Sequence, residues 1–96
     1  MIVRASVQGV VVEDPRNLTA LSLTLDGEGA ETTAARIGEW ADPDHLVVPA
    51  RTLVELAGPV AADPEWRAGF DAMIAYATSR GWVDADGGVR IHVERG

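Results

Sequence analysis

Residues 63–93, which read DPEWRAGFDAMIAYATSRGWVDADGGVRIHV, decide the fold because they predict an amphipathic helix that runs into a short hairpin. Asp63 supplies an N-cap acceptor, and Pro64 occupies the first helical position, where a missing N–H does no harm. The apolar residues after it fall on one side of a 3.6-residue helix: Trp66, Phe70, Met73, Ile74 and Ala77. We expect Phe70 and Met73, in the middle of that side, to form the centre of the core.

The same stretch predicts where the helix ends and which element comes next. Gly81 fits a C′ cap after Arg80. Residues 89–94 alternate apolar and polar side chains, which is typical of a strand with one buried face. Asp86-Gly87 is a tight-turn pair, and it predicts a hairpin between this strand and residues 82–83.

The preceding chain predicts a second hairpin and two shorter helices. Residues 2–12 and 18–25 alternate like strands on either side of a turn at 14–17, so we expect them to pair antiparallel. Residues 31–41 predict a helix that ends before Pro43, because the residue before a proline is pushed out of the helical region. A short strand over 45–48 then leads into a helix over 49–57.

These elements predict one α+β domain over residues 1–96. The domain should have two layers, with an antiparallel sheet from the N- and C-terminal hairpins packed on three helices. Ninety-six residues with 47% hydrophobic content are enough for one compact core without metal or disulfide support.

An alternative architecture comes from a family resemblance over residues 48–93. The order helix, helix, short strand, tight turn and strand is similar to the second half of a winged helix domain, with ATSRGWV at 77–83 and DGGVRI at 86–91 resembling the last helix and the wing. DNA-binding members carry a basic recognition helix, whereas this helix is rich in alanine and carries Asp71. The resemblance therefore implies protein or peptide partners and a winged-helix-like fold with an N-terminal hairpin.

Composition excludes several classes of function. The chain has no cysteine, which rules out disulfides and thiol catalysis and favours an intracellular location. Fifteen acidic residues against eight arginines and no lysine give a net charge of −7, so nucleic acid is not expected as a partner. No signal peptide or membrane-spanning run is present, and we expect a cytoplasmic protein. Abundant alanine, glycine, valine and arginine without lysine indicate a high-GC bacterium.

The best cluster for chemistry is Asp42, Asp44 and His45, with His92 as a possible neighbour in space. Carboxylates and imidazoles can bind a divalent metal or move a proton. The favoured interpretation is a helix stop at 42–44 with both histidines in solvent, because this spacing has no motif specificity. The sequence therefore predicts no metal site, no cofactor and no catalytic residue.

Arginines and tryptophans offer two further hypotheses. Arg51, Arg67 and Arg90 could form an anion site, although Arg67 is also spaced to pair with Asp71 along a helix. Trp40 and Trp82 lie at the ends of predicted elements, where one edge of each ring can stay exposed. Together these hypotheses define a predicted ligand or partner surface of Trp40, Asp44, His45, Trp82, Arg90 and His92.

For function, the leading hypothesis is a small acidic accessory or regulatory module that is not an enzyme and acts by protein–protein interaction through an edge or face of the sheet. The alternative is a small ligand-binding protein or enzyme with a pocket between sheet and helices that uses Asp44, His45 and Arg90. We also expect a homodimer, because residues 2–12 lack the lysines and inward charges that protect an open sheet edge.

Overall fold

The computed structural model describes residues 1–95, whose elements succeed one another without long connections. In chain order they are β1 (Ile2–Ser6), β2 (Gly9–Glu13), β3 (Ser22–Asp26), α1 (Ala30–Ala34), β4 (Glu39–Asp42), β5 (His45–Pro49), α2 (Ala50–Ala57), a 3₁₀ helix (Gly58–Ala62), α3 (Pro64–Ser79) and β6 (Gly88–Arg95).

The strands of the described chain form one sheet of order β2-β1-β3-β6-β5-β4. β6 lies near its centre and pairs parallel to β3 and antiparallel to β5. Helices and a single sheet make the predicted two-layer α+β fold, which is confirmed. The sheet is mixed rather than wholly antiparallel, because β1 also runs parallel to β3.

The N-terminal hairpin differs from its prediction. Residues 2–12 are two strands, because the chain reverses after Ser6 and returns at Gly9, whose φ of 139° is accessible to glycine. β1 therefore takes its antiparallel partner from within the same stretch. The predicted antiparallel pairing of 2–12 with 18–25 is wrong, since β3 joins the other side of β1 in parallel.

The first helix is also shorter than predicted. α1 ends at Ala34, and Trp40 and Ala41 belong to β4 instead of a helix over 31–41. Residues 39–42 pair with β5 instead, and Gly38 allows the approach, since an added Cβ there would lie 2.3 Å from the carbonyl oxygen of Val47. Only glycine allows the chain to pass so near β5, and a strand begins at once.

The C-terminal hairpin is reduced to a single antiparallel bridge between Val83 and Val89. β6 bonds mainly to β3 and β5, on either side of it. A wing is a hairpin at the end of its domain, whereas β6 is an interior strand of a six-stranded sheet. The winged-helix-like alternative is therefore set aside.

One face of the sheet forms the core. Alternate strand residues point to it and are buried: Val3, Ala5, Leu23, Leu25, Leu46, Val48, Val89, Ile91 and Val93. Helix residues such as Leu53, Trp66 and Phe70 belong to the same buried cluster. The residues between them on the strands, including Arg4 and Arg90, are more exposed, so the opposite face is polar.

α3 has the boundaries that its capping signals predict. The Asp63 side chain accepts a hydrogen bond of 3.0 Å from the Glu65 N–H, and Gly81 adopts a φ of 77° after the Arg80 C-cap. Phe70 is 2% exposed and lies in the core as predicted, stacked on Trp66 with ring centroids 5.0 Å apart. Met73, expected beside Phe70 at the centre of the core, instead packs against the core from a half-buried position.

Truncating Phe70 tests this packing. Phe70→Ala should reduce the free energy of unfolding by about 3 to 5 kcal/mol, because a buried ring is removed and its space is only partly refilled. Arg67→Ala on the outer side should stay within about 0.5 kcal/mol. Urea denaturation of both variants measures the difference, and a larger loss for Arg67→Ala would contradict this orientation of α3.

Candidate functional site

A groove of about 1270 Å³ lies beside α3. One wall is a row of α3 residues spaced three or four apart, namely Trp66, Gly69, Met73 and Tyr76. Leu18 and Leu21, from the connection between β2 and β3, form another wall, and residues 89–92 of β6, which belong to both faces of the sheet, complete the lining. The lining is therefore mostly apolar along the helix and becomes polar towards the sheet.

The connection between β2 and β3 is fixed against the start of α3 by two polar contacts. The Trp66 indole N–H donates to the Pro15 carbonyl at 2.7 Å, and Arg16 Nη1 lies 3.0 Å from Asp63 Oδ2. Gly69 allows a close approach of the two segments, since an added Cβ would lie 3.0 Å from Leu18 Cδ1. These contacts hold the walls of the groove in place.

An exposed aromatic pair stands at one end of the groove. The Tyr76 and Trp82 rings meet edge to face with centroids 6.0 Å apart, and they are 58% and 43% exposed. The Trp82 backbone is fixed by hydrogen bonds to the Ala77 carbonyl and from the Arg90 N–H. The Arg80 guanidinium lies 5.4 Å from the Trp82 ring. The backbone of Trp82 is thus fixed, while both rings remain substantially exposed.

Two histidines meet at the polar side of the groove. His45 and His92 are directly opposite each other on β5 and β6, with ring centroids 5.7 Å apart. His45 Nδ1 donates to Asp42 Oδ1 at 3.0 Å, because an ionised carboxylate can only accept. Arg90 Nη2 donates to Asp42 Oδ2 at 2.9 Å. His45 and His92, whose proximity the sequence left open, are therefore neighbours.

The Asp42 carboxylate is the centre of this polar network. The His45 hydrogen bond, together with the weaker effect of the Asp44 backbone N–H, holds the pKa of Asp42 below its usual value, and Arg90 adds to the effect. Both carboxylate oxygens already accept hydrogen bonds, so Asp42 is poorly placed to act as a base. Within residues 1–95 no group of three or more His, Cys, Asp or Glu side chains is arranged to hold a metal ion.

The structure gathers four residues of the predicted surface in the groove: His45, Trp82, Arg90 and His92. Trp40 lies elsewhere, in a shallow depression where the Arg95 guanidinium is 5.9 Å from its ring. Asp44 does not line the groove. Its backbone carbonyl accepts a hydrogen bond of 2.8 Å from the Val93 N–H of β6. The two tryptophans thus have different neighbours and share no aromatic patch.

Two of the three arginines of the suggested anion site have carboxylate partners instead. Arg67 pairs with Asp71 at 3.3 Å, as its helical spacing predicts, and Arg90 pairs with Asp42. Arg51 takes part in none of the ion pairs described between residues 1 and 95. These three side chains therefore do not form a shared anion site.

The sequence pattern alone does not single out Tyr76 or the two leucines of the groove wall. Tyr76 continues the row of Gly69 and Met73 along α3. This helical spacing is the one feature of the sequence that places Tyr76 on the same side of the helix as Met73. Leu18 and Leu21 fall within a predicted strand, whereas they lie in the connection before β3. Nothing local in the sequence indicates that this connection faces α3.

Comparison with protein-family models, with curated proteins and with solved structures gives no match for this chain. None of the helices described over residues 1–95 is both long enough and apolar enough to cross a membrane.

The lowered pKa of Asp42 predicts how stability depends on pH. Its ionised form stabilises the fold at pH values above the unfolded pKa of about 3.9, and this contribution is lost as the pH falls through the lower folded value. Asp42→Asn cannot titrate. The variant should therefore unfold at lower urea than the wild type near neutral pH, and the difference should shrink in acid.

Urea midpoints measured from neutral pH down to about pH 3 test this, since the unfolded carboxylate titrates in that range. Glu28→Gln serves as the control, because it removes one exposed charge that forms no ion pair in the described residues. A gap between wild type and Asp42→Asn that stays constant with pH would contradict the role of the carboxylate.

Proposed function

We propose that the protein is a non-catalytic accessory or regulatory module of the cytoplasm that binds a segment of a partner protein in the groove beside α3. The observation that carries the proposal is the exposed Tyr76–Trp82 pair at the end of an apolar groove. Tyrosine and tryptophan are enriched among the residues that dominate binding energy at protein interfaces. Absence of cysteine supports the cytoplasmic location, and the charge of −7 disfavours nucleic acid as the partner.

The size of the groove favours a peptide over a small metabolite. The wall from Trp66 to Ala77 is about 17 Å long at 1.5 Å per helical residue, which matches about five residues of an extended chain. The groove volume of about 1270 Å³ also exceeds the roughly 300 to 1,000 Å³ of most small-ligand pockets. A segment with two apolar side chains can therefore place one beside Met73 and the other at the aromatic pair.

Charge suggests the character of that segment. Arg80 lies over the Trp82 ring and takes part in none of the ion pairs found in the described chain. An acidic residue next to the apolar side chain that contacts Trp82 would gain a charge-assisted hydrogen bond there. We therefore expect the partner segment to be apolar with an acidic residue close to its Trp82 contact.

A second candidate function is a ligand-binding protein or enzyme that uses His45 and Arg90 in the same groove. The cross-strand meeting of His45 with His92 favours it, because two imidazoles at one site can bind an anion or transfer a proton. Two observations weigh against it. Arg90 and His45 already bond to Asp42, and the Asp44 side chain, the third residue expected in this pocket, does not line it.

Selection of peptides from a displayed random library on the immobilised protein tests the proposed function. Enriched peptides should carry apolar residues with a neighbouring acid, and Trp82→Ala or Tyr76→Ala should weaken their binding by about tenfold or more. Both side chains are substantially exposed, so the variants should fold normally. The matched control is Val7→Ala, an exposed apolar residue outside the groove.

Two outcomes would contradict the proposal. One is enrichment of no peptide, and the other is equal binding to the wild type and to a Tyr76→Ala/Trp82→Ala variant. Binding that survives those changes but is lost in His45→Ala and His92→Ala would instead favour the second candidate. Chemical shifts of the two histidines, monitored during titration with the enriched peptide, locate the contact independently.

A further inference from the structure

The edge strand β2 has one side without a strand partner. Within residues 1–95 it pairs only with β1, α1 and α2 also approach it, and Ser6 opposite Gly9 closes the turn between β1 and β2. A pair that closes a two-residue turn is hydrogen-bonded, so alternate residues of β2 direct their N–H and C=O groups towards β1. The backbone groups of Val10 and Val12 consequently point away from β1, towards the open edge.

We propose that two copies of the chain pair through β2 in antiparallel fashion, about a twofold axis at Val11, and so join their sheets into one. In this register Val10 lies opposite Val12 of the second copy, and both direct backbone groups to the edge. Two such pairs give about four hydrogen bonds across the axis. This inference uses a surface separate from the groove and does not depend on what the groove binds.

Other registers fit less well. A shift by one residue sets the outward backbone groups of one strand against the inward groups of the other. A shift by two residues leaves the ends of both five-residue strands unpaired. Only the register centred on Val11 pairs the strands over their full length.

The side chains agree with this register. Val11 is 58% exposed on the polar face, and it would face Val11 of the second copy in a pair without hydrogen bonds, where side chains approach most closely. Glu13 would lie opposite Gly9, so no like charges are directly opposed. Arg4, which bonds to Glu13 at 2.9 Å, already neutralises that carboxylate within each copy.

The opposite edge of the sheet carries two protective devices that β2 lacks. β4 contains a register shift between Trp40 and Asp42, and Pro43 comes directly after it. Irregular pairing and proline are two of the devices that prevent strands from adding to an edge. β2 is regular, consists of Gly-Val-Val-Val-Glu and contains neither lysine nor proline. One edge alone is therefore suited to pairing, which limits assembly to two copies.

The expected dimer is weak and depends on salt. Two five-residue strands bury less than the roughly 800 Å² per partner of a standard interface, and we expect a dissociation constant on the order of 10 μM. Each copy carries a charge of −7, so the copies repel each other at low ionic strength. Added salt should therefore strengthen the dimer, which would present two grooves to a partner with repeated segments.

Sedimentation velocity over a dilution series of about 1 to 200 μM, which spans the expected dissociation constant, tests the pairing. The average mass of the wild type should rise towards twice that of the chain. Val11→Lys, which sets two ammonium groups against each other at the axis, should weaken association by at least about tenfold. Val7→Lys is the matched control, with the same change of charge on an exposed turn residue, and should associate like the wild type.

A cysteine cross-link tests the register. The chain has no cysteine, and Cα atoms in an antiparallel pair without hydrogen bonds lie about 4.5 Å apart, within reach of a disulfide. Val11→Cys should form a covalent dimer rapidly under mild oxidation, whereas Val7→Cys should not. A wild type that stays monomeric at every concentration, or a Val11→Lys variant that associates as well as Val7→Lys, would overturn the proposal.

Discussion

The contact between Trp66 and the β2–β3 connection determines the shape of the candidate site. The indole stacks on Phe70 inside the core and donates its N–H to the Pro15 carbonyl, so one side chain joins the helix, the core and the connection. Because α3 is held at this point, its neighbouring row of Gly69, Met73 and Tyr76 faces the groove. Every buried side-chain nitrogen or oxygen of the described residues has a hydrogen-bond partner, so this anchoring leaves no polar atom uncompensated.

Local signals predict the elements correctly where the structure depends on local forces. The Asp63 cap and Gly81 delimit α3, and the alternation after Gly88 identifies β6, because capping and burial of alternate residues act over a few positions. The choice of strand partners is not predictable in the same way. β1 lies between β2 and β3, and no spacing within residues 2–25 says that one pairing is antiparallel and the other parallel. The apolar pattern around Trp40 predicts a helix, because periodicity gives no sign that the chain will turn back and bring the Val47 carbonyl close to Gly38.

The site is predictable as a set of residues but not as an arrangement. His45, Trp82, Arg90 and His92 stand out for their chemistry, and the β5–β6 register is what brings His45 beside His92. His45 and His92 are far apart in the sequence and belong to no motif. Their contact is therefore visible only once the two strands are paired. Tyr76 does not stand out, because one aromatic residue on a helix gains meaning only when Trp82 is placed against it. Trp40 and Asp44 stand out in the sequence but do not line the groove, since a suitable side chain at the end of an element does not determine which residues lie beside it.

The interior position of β6 has a consequence for the order of folding. Strands β2, β1 and β3 and the hairpin of β4 and β5 are synthesised before residues 88–95, which join the two groups. Until those residues emerge, β3 and β5 each keep an unpaired side, and the core face cannot close. Ser22 and His92, paired in the finished sheet, are 70 positions apart in the sequence, and contacts of such separation slow folding because a long loop must close first. A nascent chain of this protein therefore passes through a stage with exposed strand edges, and at that stage it is most prone to aggregate.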